Sequence, residues 1–349
     1  MNLEETLRAI GTLDQEAMKK AEERWYSIAI PLHSLGKLQD AVVQMAGIFK
    51  TTDVHLKKKA LVTMCADNGV VEEGISQSGQ DVTLIISENF LKEKATATIM
   101  CRQVGADIFP VDIGIAADSH LIQHKVMYGT RNMTREPAMT REETIKAIEV
   151  GIHMAEELKE KGYEIIATGE MGIGNTTTSS AITSVLLDAP PEKVTGRGAG
   201  LSSEGLDRKI AAIKKAIALN RPQKDDIIDV LAKVGGLDIA GMTGVFLGGA
   251  ALRIPVVIDG FISSVAALCA ARMKPEAKSF MMASHLSKEP ASAMVLDALG
   301  LEGCLTCDMR LGEGTGAVTL YPILDIAIAV YNGMSTFEEN EMETYVPLS

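Results

Sequence analysis

The sequence predicts an α/β protein with a largely parallel β-sheet, helices on both faces of that sheet, and a small helical domain built from the two ends of the chain. Two observations favour this fold. Short apolar runs typical of buried strands alternate with longer segments of helical pattern, as in parallel sheets. Only 4% of the 349 residues are aromatic, whereas glycine and alanine are abundant, which favours helices packed closely on a sheet over a β-sandwich.

The strands and helices of the predicted sheet domain follow one another in regular order. The predicted strands are residues 59–69, 107–114, 163–170, 254–260 and 279–284. The predicted helices lie near residues 83–103, 141–161, 175–187, 204–219, 224–234, 238–252, 261–273 and 287–299. We expect the helix over 175–187 to open on an Asn or Thr N-cap, because its first residues are Asn and three Thr.

Both ends of the chain have a helical pattern. The first twenty residues predict one charged amphipathic helix that lacks the apolar stretch of a signal peptide, and the apolar segment that starts at Ala317 is helical too. Helical ends that flank one α/β body often pack together. We therefore expect a large α/β domain over residues 50–316, and a small helical domain formed by residues 1–49 with residues 317–349.

The amino-acid composition limits the kinds of partner and the cellular compartment that we expect for the protein. The formal charge of −12 argues against nucleic acid or an anionic membrane as a partner, since both need a basic face. Charged residues interrupt the most apolar region, 235–270, which predicts a soluble protein. Five cysteines without a regular framework favour free thiols and a reducing cytoplasm. Cys304 and Cys307 form a C-x-x-C without a second pair, so we expect no metal or redox role for them.

Polar residues and glycines end each of the predicted strands. Ligands of open α/β sheets bind along the edge formed by the carboxyl ends of the strands. We therefore expect these ends to share one cleft, although Asp and Gly can also end strands for reasons of turn geometry. The five ends are Asp67-Asn68-Gly69, Asp112-Ile113-Gly114, Gly169-Glu170, Asp259-Gly260 and Ser284-His285.

A glycine-rich stretch, GEMGIGNTTTSS (169–180), connects a predicted strand to a predicted helix. This arrangement directs backbone N–H groups and the positive end of a helix dipole at one point, which suits a phosphate or carboxylate. The alternative is that the glycines only permit a tight turn, and the dinucleotide pattern G-x-G-x-x-G is not matched here.

A second glycine-rich stretch, MRLGEGTGAVTLYPIL (309–324), surrounds Glu313 with glycines ahead of another apolar helix. Glycines beside an acid let a substrate approach closely, and partial burial would raise the pKa of the carboxyl toward that of a general base. The alternative is an exposed Glu in the first turn of a helix, where it is favourable to the dipole.

Six motifs carry a resemblance to a known family. They occur in the order and spacing typical of the nicotinate-nucleotide:dimethylbenzimidazole phosphoribosyltransferases of cobamide biosynthesis, and the match runs from about residue 34 to residue 335. The resemblance implies a Rossmann-like sheet, a dimer, and transfer of the phosphoribosyl group of nicotinate mononucleotide to a cobamide lower-ligand base. The motifs are CADNGVVEEGIS, GEMGIGNTT, KVGGLDIAGMTGV, IDGFISS, SHLS and MRLGEGTGA.

The resemblance also implies roles for single residues. Glu313 matches the catalytic base, and Glu170 matches a second acid on the nucleotide side of the site. No metal and no separate cofactor are implied, because nicotinate mononucleotide is a substrate and its leaving group is already a positively charged pyridinium. The remaining residues implied to bind substrate are Gly172, Ile173, Gly174, Gly198, Lys209, Asp259, Gly260, Ser287, Ser78 and Ile86.

Two departures from the family pattern concern the start of the chain and the acceptor pocket. The chain has PLHSLG (31–36) where relatives commonly read PPGSLG. Ser78 matches a serine of the acceptor pocket, but Ile86 stands where a glutamine usually faces the base, which makes this pocket more apolar. Some relatives activate phenol or p-cresol as hetero-oligomers of two related chains. The sequence therefore leaves two candidates for the acceptor, a benzimidazole and a phenolic compound. The alternative function is a non-catalytic or partner-dependent subunit of such a hetero-oligomer.

Overall fold

The computed structural model describes residues 1–198 and 200–345, and it confirms the α/β fold. Within these residues the strands are β1 Lys59–Ala66, β2 Ala106–Gly114, β3 Ile122–Gln123, β4 Ile165–Met171, β5 Val256–Ile258 and β6 Met281–Ala283. The helices are α1 Leu3–Ala9, α2 Gln15–Ser27, α3 Lys37–Phe49, α4 Asp81–Leu91, α5 Thr96–Val104, α6 Arg141–Glu160, α7 Asn175–Leu186, α8 Pro191–Val194, α9 Ser203–Asn220, α10 Ile227–Val234, α11 Leu237–Ala251, α12 Phe261–Met273, α13 Ser292–Leu299 and α14 Thr315–Gly333.

The six strands form one parallel sheet in the order β3-β2-β1-β4-β5-β6. The chain first adds strands on one side of β1 and then crosses back to add β4, β5 and β6 on the other side. The order therefore reverses between β1 and β4. In open α/β sheets the crevice at such a reversal is where ligands bind.

Side chains of the strands alternate between two apolar cores, one on each face of the sheet. Val62 and Met64 of β1 belong to the core that contains α6, α11 and α12, whereas Leu61 and Cys65 belong to the core beneath α3, α5 and α14. All eight residues of β1 are buried. This two-sided burial explains why the strands are continuous apolar runs in the sequence.

Several element boundaries differ from the sequence-based expectation. The predicted first helix is two helices, and Asp14 caps the second of them by accepting from the Ala17 N–H at 2.9 Å. The predicted helix 83–103 breaks into α4 and α5 beside Glu93, which has a positive φ of 54°. Helix 287–299 begins only at Ser292, after Pro290. The N-cap of α7 is Gly174 and not an Asn or Thr, and it makes no side-chain capping bond.

The terminal helices do not all pack together. Helices α2, α3 and α14 are neighbours, and the rings of Trp25 and Tyr331 lie 5.2 Å apart between them. Helix α1 packs on α6 and α11 instead, and the Leu3 N–H donates to Glu149 at 3.1 Å. The division into residues 50–316 and residues 1–49 with 317–349 stays a prediction, and residues 346–349 of it lie outside the described part of the chain.

Helix α14 is both long and apolar. Within the described residues it is the one helix whose length and composition would suffice to cross a membrane, and half of its most apolar stretch is buried inside the protein. It packs against α3, α5 and β4, as the core helix of a globular protein does.

Candidate active site

One cleft of about 380 Å³ lies beyond the carboxyl ends of β4, β5 and β6. Its lining includes the loop between β4 and α7, the loop that follows β5, the segment that follows β6, and the loop that precedes α14. Residues from these loops are distant in sequence but adjacent at the edge of the sheet. The expected site residues that line the cleft are Ile86, Glu170, Gly172, Ile173, Gly174, Gly198, Lys209, Asp259, Gly260, Ser287 and Glu313.

The expectation that all five strand ends share this cleft is wrong for two of them. The ends of β4, β5 and β6 line it, whereas Asp67 and Asp112 do not. Asp112 is fully buried at the end of β2, where it accepts from the Ile115 N–H at 3.0 Å and pairs with Lys125 at 2.9 Å. It stabilises the turn after its own strand. Because β2 lies on the far side of β1, its end is removed from the cleft.

Glu170 is the last residue but one of β4, and only 6% of it is exposed. Burial raises its pKa well above the usual range, and the charges of Asp238, Asp259 and Glu313 add to the rise. The side-chain amide of Asn175, the first residue of α7, donates to Glu170 Oε2. The carboxyl is therefore held in a fixed position and favours its protonated form.

Polar groups that could hold an anion surround Lys209. This lysine of α9 is 1% exposed, and its Nζ donates to Thr176 Oγ1 at 2.7 Å in the first turn of α7. Gly198 has a positive φ of 51°, and a Cβ there would lie 3.1 Å from Thr176 Oγ1 and 3.5 Å from Lys209 Nζ. Burial lowers the pKa of Lys209 to about 8, and Glu289 opposes this. A bound phosphate would favour the charged lysine.

Glu313 lies directly before α14 and not in its first turn, so the alternative of an exposed dipole partner does not apply. Its backbone has a positive φ of 61°, between Gly312 at 90° and Gly314 at 86°. Its Oε2 accepts from the Ala97 N–H at 3.2 Å, at the start of α5. Burial raises the pKa of Glu313, the Ala97 N–H opposes the rise, and the charge of Asp259 adds to it. A carboxylate with a raised pKa at the cleft wall can accept a proton.

Part of the cleft lining is apolar. It includes Ile86 of α4, together with Met171, Ile173 and Leu311. The Ile173 N–H donates to Thr83 Oγ1 at 3.1 Å, so this group is bound within the protein and is not the open backbone donor that the sequence suggested. Ser78 does not line the cleft. Its neighbours Ser76 and Gln77 do, because the loop turns away after them and the Ser78 N–H bonds back to Ser76 Oγ at 3.2 Å.

Sequence reasoning missed several residues of the lining. Arg197 orders the loop around Gly198 by donating to the Leu201 carbonyl at 2.7 Å. Arg310 stands three residues before Glu313 at the mouth of the cleft. Arg310 lies inside the motif MRLGEGTGA, so its place in that motif was the available signal, whereas Arg197 lies in none of the six motifs. Other polar residues of the lining that were not predicted include Thr176 and Glu289, whereas His285 had been predicted only as part of a strand end.

Comparison with known proteins agrees with this geometry. Residues 10–342 match the family model described as Phosphoribosyltransferase. The chain is 51% identical over 346 residues to the nicotinate-nucleotide–dimethylbenzimidazole phosphoribosyltransferase of Acetivibrio thermocellus, covering 98% of this chain and 99% of the relative. The protein of the same name from Clostridium acetobutylicum is 48% identical, and each chain is covered completely. The chain belongs to this family of phosphoribosyltransferases.

The fold of this phosphoribosyltransferase is also that of a solved relative. The crystal structure of CobT from Thermus thermophilus superposes with a TM-score of 0.90 at 36% identity, covering 95% of this chain and 100% of that one. The transferase thus brings Lys209 with Thr176, the buried Glu170, the half-buried Glu313 and several apolar side chains into one cleft on this fold. Such a cleft can hold a phosphorylated substrate and remove a proton from an apolar partner.

Proposed function

We propose that the chain transfers the phosphoribosyl group of nicotinate mononucleotide to an aromatic lower-ligand base, giving an α-ribosyl 5′-phosphate and nicotinate. The observation that carries this proposal is that one cleft is lined by both the buried Lys209 and Glu313, whose pKa is raised. The names of the relatives supply the substrates.

Each side of the cleft has one task in this reaction. Lys209, Thr176 and Gly198 hold the 5′-phosphate of the nucleotide. The leaving group departs as nicotinate, whose ring nitrogen loses its positive charge when the bond to C1′ breaks, so the reaction as proposed uses no metal and no cofactor. The acceptor enters C1′ from the opposite face and inverts the anomeric centre, and Glu313 takes the proton that the acceptor loses.

The acceptor pocket offers apolar contacts more than hydrogen bonds. A flat aromatic ring suits a wall of Ile86, Met171, Ile173 and Leu311. The names of the relatives favour dimethylbenzimidazole. A phenolic acceptor is the second candidate, because Ile86 provides no polar partner for a ring nitrogen.

An acceptor panel tests the proposal. Purified protein is incubated with nicotinate mononucleotide and with benzimidazoles, phenol or p-cresol, while nicotinate release and the mass of the ribotide are measured. We expect release with at least one acceptor, and we expect Ile86→Gln to shift preference toward benzimidazoles. Exposed Ile85 on the same helix supplies the control Ile85→Gln, which should leave the preference unchanged.

Failure with every acceptor would count against the proposal. Turnover that appears only after a related chain is added would instead favour a partner-dependent subunit of a hetero-oligomer. We propose a cytoplasmic homodimer or a heterodimer with such a chain as the working assembly. Light scattering of the purified protein, alone and mixed with the related chain, distinguishes the two.

A further inference from the structure

Helix α14 begins without a capping side chain of its own. Its N-cap residue is Gly314, which makes no side-chain capping bond. The first backbone N–H groups of a helix have no partner within the helix and need acceptors from elsewhere. In α14 these groups point away from solvent, since Thr315, Gly316 and Ala317 are buried.

Asp259 supplies the missing acceptors from the end of β5. Its Oδ1 accepts from the Gly316 N–H at 2.7 Å and from the Ala317 N–H at 3.0 Å, and its Oδ2 accepts from the Gly314 N–H at 3.2 Å. Both carboxylate oxygens are thus bound to the start of α14. This contact joins residues more than fifty positions apart and acts as an N-cap provided by another element.

Asp259 is itself held firmly. It is 4% exposed, its own N–H donates to Ser263 Oγ at 3.1 Å, and its carbonyl accepts from Ser284 Oγ at 3.2 Å. The acceptor of the α14 cap is therefore fixed to both α12 and the segment after β6. A rigid acceptor at the edge of the sheet determines where α14 starts.

The start of α14 determines where Glu313 stands. Glu313 and the two glycines around it have positive φ angles, and a non-glycine residue adopts such a backbone only when the surroundings hold it there. The Gly314 N–H belongs to the peptide that follows Glu313, and Asp259 binds that N–H directly. Asp259 therefore fixes one end of the loop, while the Ala97 N–H fixes the carboxylate.

We propose that Asp259 is a positioning residue, which holds Glu313 at the acceptor by capping α14, and that it is not a substrate-binding residue. This inference rests on the proposed function, in which Glu313 is the base. It replaces the role that the sequence resemblance had suggested for Asp259. The physical reason is that three backbone donors already occupy its two oxygens.

Two substitutions separate positioning from binding. Asp259→Ala removes all three capping bonds, whereas Asp259→Asn keeps an acceptor oxygen of the same reach. We expect Asp259→Ala to lower kcat by about 10- to 100-fold, because displacing a catalytic base by about an ångström lowers the rate of the chemical step by that factor. KM for nicotinate mononucleotide should stay within about twofold. Asp259→Asn should recover part of kcat.

The control is Asp112→Asn. Asp112 is equally buried at a strand end and caps its own loop, but it lies outside the cleft. This variant reports the general cost of changing a buried aspartate, and it should leave kcat near that of the unmodified protein. Rates are normalised to folded protein by the stoichiometry of nucleotide binding, so that partial unfolding does not imitate loss of catalysis.

Hydrogen exchange gives a readout that does not depend on turnover. The amides of residues 314, 316 and 317 should exchange faster in Asp259→Ala than in the unmodified protein, and those after β2 should not change. Unaltered exchange at these amides, or a rise in KM as large as the fall in kcat, would overturn the inference. The unmodified protein could instead turn over no acceptor while Asp259→Ala still shows faster exchange at these amides. That result would contradict the proposed function but would support the role of Asp259 as the cap of α14.

Discussion

At the scale of single residues, the two glutamates of the cleft differ in their surroundings. Burial and the neighbouring carboxyl groups raise the pKa of Glu170 well above its usual range, although the Asn175 amide opposes the rise. Glu313 is less buried and receives a backbone N–H, which favours a carboxylate. The surroundings therefore favour the protonated form more strongly at Glu170 than at Glu313, and such a difference is a common way to divide proton chemistry between two groups.

The comparison of Glu313→Gln with Glu170→Gln tests this difference. Glutamine imitates a protonated glutamate but cannot accept a proton. We therefore expect Glu313→Gln to lower turnover by about 10²- to 10⁴-fold with nucleotide binding nearly unchanged, and Glu170→Gln to lower it by less than about 10-fold. Steady-state turnover rates of the two variants at pH 7 measure this difference. Near-normal turnover of Glu313→Gln with every acceptor would remove its assignment as base.

Lys209 should matter for the phosphate of the nucleotide and not for the rest of it. One desolvated charged contact contributes about 1.5–3 kcal/mol to binding. Lys209→Ala should therefore weaken the binding of nicotinate mononucleotide by about 10- to 100-fold more than the binding of nicotinate riboside. Calorimetric titration of both ligands measures this. Lys214→Ala, on the exposed side of the same helix, is the control. Equal losses for the two ligands would place Lys209 away from the phosphate.

At the scale of elements, one arginine links α3 to the sheet domain through three backbone carbonyls. Arg253 lies in the loop between α11 and β5 and donates to the carbonyls of Gly47 and Ile48 at 2.7 Å and of Thr12 at 3.1 Å. Two of these carbonyls belong to the last turn of α3, where a cation is favourable to the helix dipole. The planar guanidinium reaches all three at once.

We expect Arg253→Lys to lower the free energy of unfolding by about 1–3 kcal/mol, because an ammonium cannot bind three divergent carbonyls with the same geometry. Urea unfolding followed by circular dichroism measures the loss. Arg102→Lys is the control, since Arg102 forms an exposed pair with Glu93 at 3.3 Å and should contribute little. Similar stabilities for the two variants would contradict the role of Arg253.

At the scale of the whole molecule, buried carboxyl groups couple stability to pH. Burial raises the pKa of Asp238 to about 7, from a usual value of 3.8. Between these two values the folded protein holds a proton that the unfolded chain has lost. The contribution of Asp238 to the free energy of unfolding therefore falls as pH rises from about 4 to 7 and is constant above that.

Asp238→Asn should remove this contribution. We expect its free energy of unfolding to decline less between pH 5 and pH 8 than that of the unmodified protein, and to be higher at pH 8. Urea unfolding at four pH values measures both. The control is Glu143→Gln, because Arg131 lowers the pKa of Glu143 to about 2 and its effect appears only in acid. A slope for Asp238→Asn equal to that of the unmodified protein would contradict the prediction.

The sequence by itself determined the class of fold and most of the residues that meet in the cleft. Strands buried on both faces are continuous apolar runs, and helices have their own period, so both leave a local signature. The two loops that carry Glu170 and Glu313 were visible for the same reason, since glycines beside an acid before a helix are a local pattern. The resemblance of the motifs added Lys209, Gly198 and Ser287, which no local pattern singles out.

Only the tertiary structure decided which of these local features act together. The strand order places the end of β2 behind β1, so Asp112 caps its own turn although its sequence resembles that of a site residue. The same order brings Asp259 to the start of α14 and Ala97 to Glu313. Such contacts join residues far apart in the chain, and no period or spacing records them. Their partners are chosen by the arrangement of strands in the sheet, which is a property of the whole chain.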